Sequence, residues 1–367
     1  MSVAGKFLVN KFSELNINDP FFDSLKSDYP EDGNNIGFTK WFAKKSQTGA
    51  KALVFSDKEG LGAFVCLKKE NEPIELVEGT LTALPRIKIS TLLLAERFRG
   101  QRLGEGAIGL ILWEWQRSNT LEIYVTVFEK HILLIEQLKR FGFLLVGHNL
   151  NGECVYLKDR RHISYSDPYK SFPFINPQFE KAGYLIVDDH YHDTLFPYSE
   201  LKNTMQEQIA LSVANGISKV YVGAQYKMPH YNKGEPLLIY RRHTQPIGQK
   251  RYKSCITSFC VVTDVVMVKN NYRYYISYDE LLNRISNKSV FDSGEIKEKF
   301  DHDKNLVVVE MLYYGFFGKG HNVNNAWLSE HGYMPRGVYP TDIQLSSDDF
   351  KRILQEGDIN VSNVIID

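Results

Sequence analysis

The chain has 367 residues and a mass of 42.3 kDa, with 43% hydrophobic and 24% charged residues, and its 44 basic side chains cancel 44 acidic ones. At about 150 residues per domain this length predicts about two domains, and the composition excludes wholesale disorder and rod-like repeats. With no bulk charge, any surface for nucleic acid or membrane has to be a local patch.

Four cysteines, Cys66, Cys154, Cys255 and Cys260, are too few and too scattered for a disulfide framework, so buried thiols in a reducing, cytoplasmic setting are expected. No apolar run approaches the ~20 residues of a membrane span and no apolar leader core opens the chain, so no membrane partner is expected.

In chain order, Asp19 caps a helix predicted over 21–28 with Pro20 at its first position, and an aromatic stretch predicts another over 38–44. Residues 51–55 and 62–68 form a hairpin across Asp57-Lys58-Glu59-Gly60. The stretch RIKISTLLLA, 86–95, starts with strand alternation and ends fully apolar, as a strand buried on both faces does. A helix follows over 103–117 despite Gly104, Gly106 and Gly109, each of which costs about 1 kcal/mol relative to Ala. Something other than helix propensity therefore requires them. A strand over 121–128, a helix over 130–141 stopped by Gly142, and a hairpin of 143–147 with 153–158 complete a mixed sheet with helices on its faces.

Three prolines, Pro168, Pro173 and Pro177, punctuate residues 161–178, which are read as a linker between a domain at 1–160 and another at 179–367. In the second domain, helices are predicted over 198–216 and 278–285 and strands over 219–223, 236–240, 255–268 and 306–314. A last helix over 350–355 is capped by Ser346 with Asp349 and stopped by Gly357.

The chemistry concentrates in ERFRGQRLGEGAIG, residues 96–109, just after a buried strand and opening a helix. Glycines admit close approach, and the first helical turn offers unpaired N–H groups at the positive end of its dipole, so a pyrophosphate is the natural guest. Arg99 and Arg102 add charge. A P-loop is excluded because the Lys-Ser/Thr pair is missing, and no acidic residue completes a dinucleotide fold.

This order of elements, with Gln101-Arg102-Leu103-Gly104-Glu105-Gly106 fitting the pattern Gln/Arg-x-x-Gly-x-Gly/Ala after a central strand, resembles the GNAT-type N-acetyltransferases. The alternative register starts at Arg99 and places Arg102 where Gly is common, leaving the phosphate-binding amides open by two residues. The resemblance implies acetyl-CoA as cosubstrate, with its pantetheine arm along Leu92, Leu93 and Leu94 and its diphosphate at Arg99, Gly100, Gln101, Arg102, Leu103, Gly104, Glu105 and Gly106. It further implies attack of a neutral amine on the thioester. HILLIEQLKRFGF matches the family's later helix only in part: Leu138 stands where the family has a Tyr that protonates the departing thiolate. The strand at 87–94 carries neither carboxylate nor His, so the general base stays open among Glu129, Tyr124, His131 and Glu96.

Two further clusters stand out. The run Asp188-Asp189-His190-Tyr191-His192-Asp193 has metal-ligand chemistry but no distant third ligand, and is read as a polar turn, so no metal is expected. Arg241, Arg242, Lys250, Arg251 and Lys253, interleaved with tyrosines, fit RNA or single-stranded nucleic acid. Residues 180–357 loosely resemble the PUA-like group with its ASCH relatives, through KVYVGA, the Lys-Gly-Glu turn before PLLIYRR, SCITSFCVVTDVV and VVVEMLYY. That resemblance implies a small β-barrel that binds RNA or a base.

The expectation is thus an α/β mixed-sheet acetyltransferase domain followed by a PUA-like β-barrel with helices. It would transfer an acetyl group to an amine, with a tRNA, aminoacyl-tRNA or nucleobase as acceptor or partner. Two alternatives stay open: a protein or small-molecule acceptor with the second domain as lid or homodimer module, and a non-catalytic coenzyme A or nucleic-acid binder.

Overall fold

The structure, a computed structural model, describes residues 6–32, 36–199, 201, 212–225, 228–244, 250–335 and 337–366. Among them no helix is long and apolar enough to cross a membrane.

The first sheet contains β1 (Leu8–Lys11), β2 (Lys51–Asp57), β3 (Gly60–Glu70), β4 (Arg86–Leu94), β5 (Glu122–Val127), β6 (Leu144–His148) and β7 (Cys154–Asp159). Its order is β1-β2-β3-β4-β5-β7-β6, antiparallel except for the β4–β5 pair. Four helices cover it: α1 (Asp23–Asp28), α2 (Gly37–Gln47), α3 (Leu103–Arg117) and α4 (Ile132–Arg140). Strand β1 and a small hairpin of Ile74–Leu76 with Gly79–Leu81 were not foreseen, because each is too short for period-2 alternation to stand out.

The second sheet is built from β8 (Ala182–Asp188), β9 (Ser218–Gly223), β10 (Pro236–Arg242), β11 (Cys255–Asn270), β12 (Leu306–Phe316) and β13 (Gln344–Leu345), in the order β9-β12-β11-β10-β8-β13. Its ladders are mixed, with β8 and β10 parallel and the other neighbours antiparallel, and no ladder joining its two ends is found among the described residues. Strand β8 is absent from the sequence expectation. Its AGYLIVD is a continuous apolar run, and it pairs in parallel with β10, buried among neighbours on both sides. The acidic run after it is a helix, α5 (Asp189–Leu195), rather than a turn. Also present are α6 (Tyr278–Ile285), α7 (Ser293–His302), α8 (Asn325–Glu330) and α9 (Ser347–Glu356), the last with the expected Ser346/Asp349 capping box. Most of the helix expected over 198–216 lies outside the described residues, as do Tyr226 and Lys227.

The two sheets share one apolar core. Trp113 of α3 is fully buried against Tyr313 and Phe316 of β12, at ring-centroid distances of 4.9 and 5.4 Å. Trp115, two residues on, packs at 5.0 Å on Phe174 from the segment read as a linker, where Phe172, Phe174 and Ile175 are buried. All four cysteines are free and buried.

Candidate functional site

Strands β4 and β5 pair in parallel from Arg86–Glu122 to Ile89–Val125 and then part. Strand β4 continues along β3, but Ser90 is an extra residue there, since Ile89 faces Leu67 and Thr91 faces Cys66. A bulge of this kind bends the strand, and here it accompanies the loss of β5 as neighbour. The split opens into a cleft of about 1140 Å³ whose walls include Leu92, Leu93 and Leu94 of β4, Gly104 of α3 and Leu134 of α4. This volume stands just above the ~300–1,000 Å³ usual for ligand sites.

The floor of the cleft is the start of α3. Gly100 (φ +77°) and Arg102 (φ +63°) reverse the chain in left-handed conformations, which glycine adopts without strain. The leading N–H groups of a helix lack intrahelical partners, and the ladder here begins with Gly106 N–H donating to the Arg102 carbonyl at 3.1 Å. Of the residues ahead of it, Arg102, Gly104 and Glu105 lie on the cleft wall, and the Gly106 amide drops out of the predicted set. Of the other predicted coenzyme residues, Leu92, Leu93, Leu94, Arg99, Gly100, Arg102, Gly104 and Glu105 line the cleft, whereas Gln101 and Leu103 do not.

The Arg102 side chain, expected at the phosphates, is engaged elsewhere together with that of Glu105. The Arg102 guanidinium bonds Glu105 Oε1 at 3.1 Å, the Ser218 hydroxyl at 2.7 Å and the Ser218 carbonyl, and Glu105 Oε1 accepts the Ser218 N–H at 2.5 Å. Burial alone would raise the Glu105 pKa, but the Arg102 charge and these hydrogen bonds together hold it below the usual carboxylate range. Asn215 Nδ2 donates to the Gln101 carbonyl at 3.1 Å, and Asn287 Nδ2 to the Gly100 carbonyl at 2.8 Å. Residues of the second half of the chain thus fasten the turn from outside, whereas Arg99 is exposed and, among the described residues, paired with Glu96 at 3.2 Å.

The candidates for proton transfer separate cleanly. His131 lines the cleft with Nε2 3.2 Å from Asp28 Oδ2, and Asp28 lines it too, while also binding the Lys130 ammonium. A carboxylate that fixes an imidazole is the arrangement a general base requires. Tyr124 is not on the cleft wall: it is buried with Ile74, Leu76 and Val155, its hydroxyl donates to Glu70, and burial with that bond raises its pKa. Glu129 also lies off the wall, beside His148. Glu96 lines the cleft but is almost fully exposed. Leu138, at the position of the expected acid, is fully buried in the core. Asp28 was missed because nothing in the sequence ties it to His131, 103 residues away.

In the second sheet, register neutralises the two charged runs against each other. Asp188 lies opposite Arg242 in the β8–β10 ladder and accepts from it at 2.9 Å, while Arg241 is bound to Asp193 at 2.9 and 3.1 Å. Arg241 is only 8% exposed, so it is not a free cation for a phosphate. His192 is fully buried, 2.8 Å from Asp193 and 2.7 Å from the Thr257 hydroxyl, which gives the acidic run an anchoring role. Arg251 is exposed and paired with Glu330 at 2.8 Å, Lys253 is exposed, and the Lys250 side chain lies outside the described set. A second cleft of about 440 Å³ runs beside Arg242 and Lys299, with Tyr221, Phe291 and Tyr339 on its walls.

No family model matches the chain, and no curated protein matches it. Solved structures similar to parts of it fall into two groups. One is an ASCH protein from Zymomonas mobilis, with 10% identity over 48% of this chain and 94% of that one and a TM-score of 0.31. The other includes an acetyltransferase of the GNAT family from Listeria monocytogenes 4b F2365, with 20% identity over 42% of this chain and 94% of that one and a TM-score of 0.32. It also includes a GNAT family N-acetyltransferase (YhbS) from Escherichia coli in complex with CoA, with 18% identity over 44% of this chain and 83% of that one and a TM-score of 0.29. The solved structures that this chain is similar to thus include both GNAT and ASCH proteins, each over less than half of its length.

Proposed function

We propose that the protein is an N-acyltransferase that takes acetyl-CoA as cosubstrate and acetylates an amine. One observation carries this reading: the split between β4 and β5 opens onto the unpaired amides at the start of α3, so a single cleft offers a strand edge to an extended arm and a positive helix end to a diphosphate. Beyond Ile89 the β4 edge has lost β5, and its amides are available to the arm and to the oxyanion of the tetrahedral intermediate. His131, oriented by Asp28, accepts a proton from the attacking amine directly or through water. The new C–N bond forms, the oxyanion collapses, the C–S bond breaks and the sulfur leaves as thiolate. With Leu138 in the core, no side chain at that position protonates the sulfur. A thiolate leaves tolerably unaided, because thiols ionise near pH 8.5.

Calorimetry with acetyl-CoA tests the reading. The expected result is micromolar binding that Gly104→Glu weakens at least about 100-fold by placing a carboxylate against the diphosphate, with the melting temperature little changed. His131→Gln is expected to lower turnover by about 10²-fold while leaving coenzyme affinity intact. Absence of heat and of any thermal shift overturns the reading. Binding without transfer to any amine favours the rival of a non-catalytic binder, which the burial of Leu138 supports.

The acceptor is read from the second cleft, where the faces of Tyr221, Phe291 and Tyr339 beside Lys299 suit a nucleobase, Arg242 being held by Asp188 on the same wall. RNA affinity falling steeply with salt is the expected outcome. Salt-independent affinity, or none, points instead to a protein or metabolite amine.

A further inference from the structure

A row of side chains across the far edge of the first sheet forms a second chemical centre, outside the acyl cleft. In the β6–β7 ladder His148 lies opposite Cys154, and in the β5–β7 ladder Val127 lies opposite the same cysteine. Opposed residues share a face, and every second residue along a strand returns to it. Glu129, in the turn two residues beyond the end of β5, arrives beside the thiol and the imidazole. Its Oε1 is 3.9 Å from Cys154 Sγ and 3.9 Å from His148 Nε2, and the three donor atoms all lie within 4.8 Å of one another.

The other ring nitrogen is already held. His148 Nδ1 is 2.8 Å from Glu78 Oε1, and the backbone N–H of His148 donates to Glu78 Oε2 at 2.9 Å. Gly147 (φ +149°) makes this approach possible, since a Cβ there would stand 2.7 Å from Glu78 Oε2. A carboxylate on one nitrogen of a histidine fixes the tautomer and aims the other nitrogen outward, as it does for metal-bound histidines.

We infer that Cys154 Sγ, His148 Nε2 and a Glu129 carboxylate oxygen form a binding site for a zinc-class divalent cation, with Glu78 orienting the histidine and water in the fourth position. The donor set decides the class: thiolate and imidazole disfavour magnesium and calcium, and three protein ligands leave a tetrahedral ion one open position. Ligands at about 2.0–2.3 Å from such an ion stand roughly 3.5 Å apart. The separations here are 3.9 Å for the two pairs that involve Glu129 and within 4.8 Å for the third, so an ion draws in the Glu129, His148 and Cys154 side chains together. The site does not depend on the acyl-transfer reading.

The test uses the full chain, reduced and stripped with a chelator, titrated with Zn²⁺ alone by calorimetry and with Co²⁺ followed by absorption. One equivalent is expected to bind with a Kd of about 1 µM or tighter, and the cobalt form is expected to show a thiolate charge-transfer band that Cys154→Ser removes. Glu129→Gln and Glu78→Gln are expected to weaken zinc binding about 10- to 100-fold. Cys154 is buried and its replacement can perturb folding, whereas Glu129 is exposed, so Glu129→Gln keeps the test decisive. No binding at about 100 µM Zn²⁺, or an affinity unchanged in both Glu129→Gln and His148→Gln, overturns the inference.

Discussion

The two faces of α3 use the same residue type for opposite ends. Gly104 faces the cleft, where a Cβ would meet only the tip of the Leu94 side chain at 2.9 Å. Gly106 and Gly109 face the second sheet's approach. A Cβ on Gly106 would lie 1.8 Å from the Asn215 carbonyl oxygen, and one on Gly109 would lie 2.3 Å from Ile217 Cγ2. In a motif that reads as one glycine-rich turn, ligand approach therefore explains one glycine and chain-on-chain packing explains two.

The sharpest way to break this contrast is Gly106→Ala. Its methyl group collides with backbone that cannot rotate aside, so a loss of about 3 kcal/mol or more, or failure to accumulate as folded protein, is expected in denaturant unfolding. Gly104→Ala is expected to fold normally. Equal stabilities would show that Asn215 does not sit on α3.

Acid provides the next test. The Glu105 pKa is depressed in the folded state, so the fastening of Arg102, Glu105 and Ser218 contributes stability that is complete above the ordinary value of 4.5 and is lost as pH falls through the lowered one. Unfolding free energy is expected to drop below about pH 4.5 in the native chain. Arg102→Ala is expected to cost about 3 kcal/mol at neutral pH by leaving Glu105 buried and unpaired. An acid limb identical in the native chain and Arg102→Ala would remove Glu105 from the account.

Smallest is Arg99→Ala on the cleft side. An exposed cation aimed at a diphosphate is worth about 1 kcal/mol or less, so acetyl-CoA affinity is expected to fall about fivefold, more at low salt, with stability unchanged. A larger effect for Arg102→Ala than for Arg99→Ala on stability, with the reverse on affinity, separates the two arginines.

How much of this could be read beforehand follows from sequence distance. Helix α3 was legible to both ends, because its apolar period is local and its glycine turn precedes it. The reason for Gly106 was not, because Asn215 ends a short helix just before β9, over 100 residues on, and no alternation or cap links them. His131 was legible as a candidate, but the geometry that distinguishes it from Tyr124 comes from Asp28. Arg241 and Arg242 looked like free charge because Asp188 faces Arg242 from β8, whose unbroken apolar run shows no period, and Asp193 reaches Arg241 from α5 just beyond it. The grouping of Glu129, His148 and Cys154 spans three strands' ends and has no spacing signature of its own.

The burial of Trp113 between the sheets has a consequence for how this chain can be divided. Cutting near Arg160 would strip the indole of Tyr198, Tyr313 and Phe316 and leave Glu105 without its Ser218 N–H partner. The amino-terminal piece would then expose a large apolar face beside a turn that has lost its outer fastening. The two halves therefore share a buried seam, and a single unfolding transition for the whole chain is the outcome expected of it.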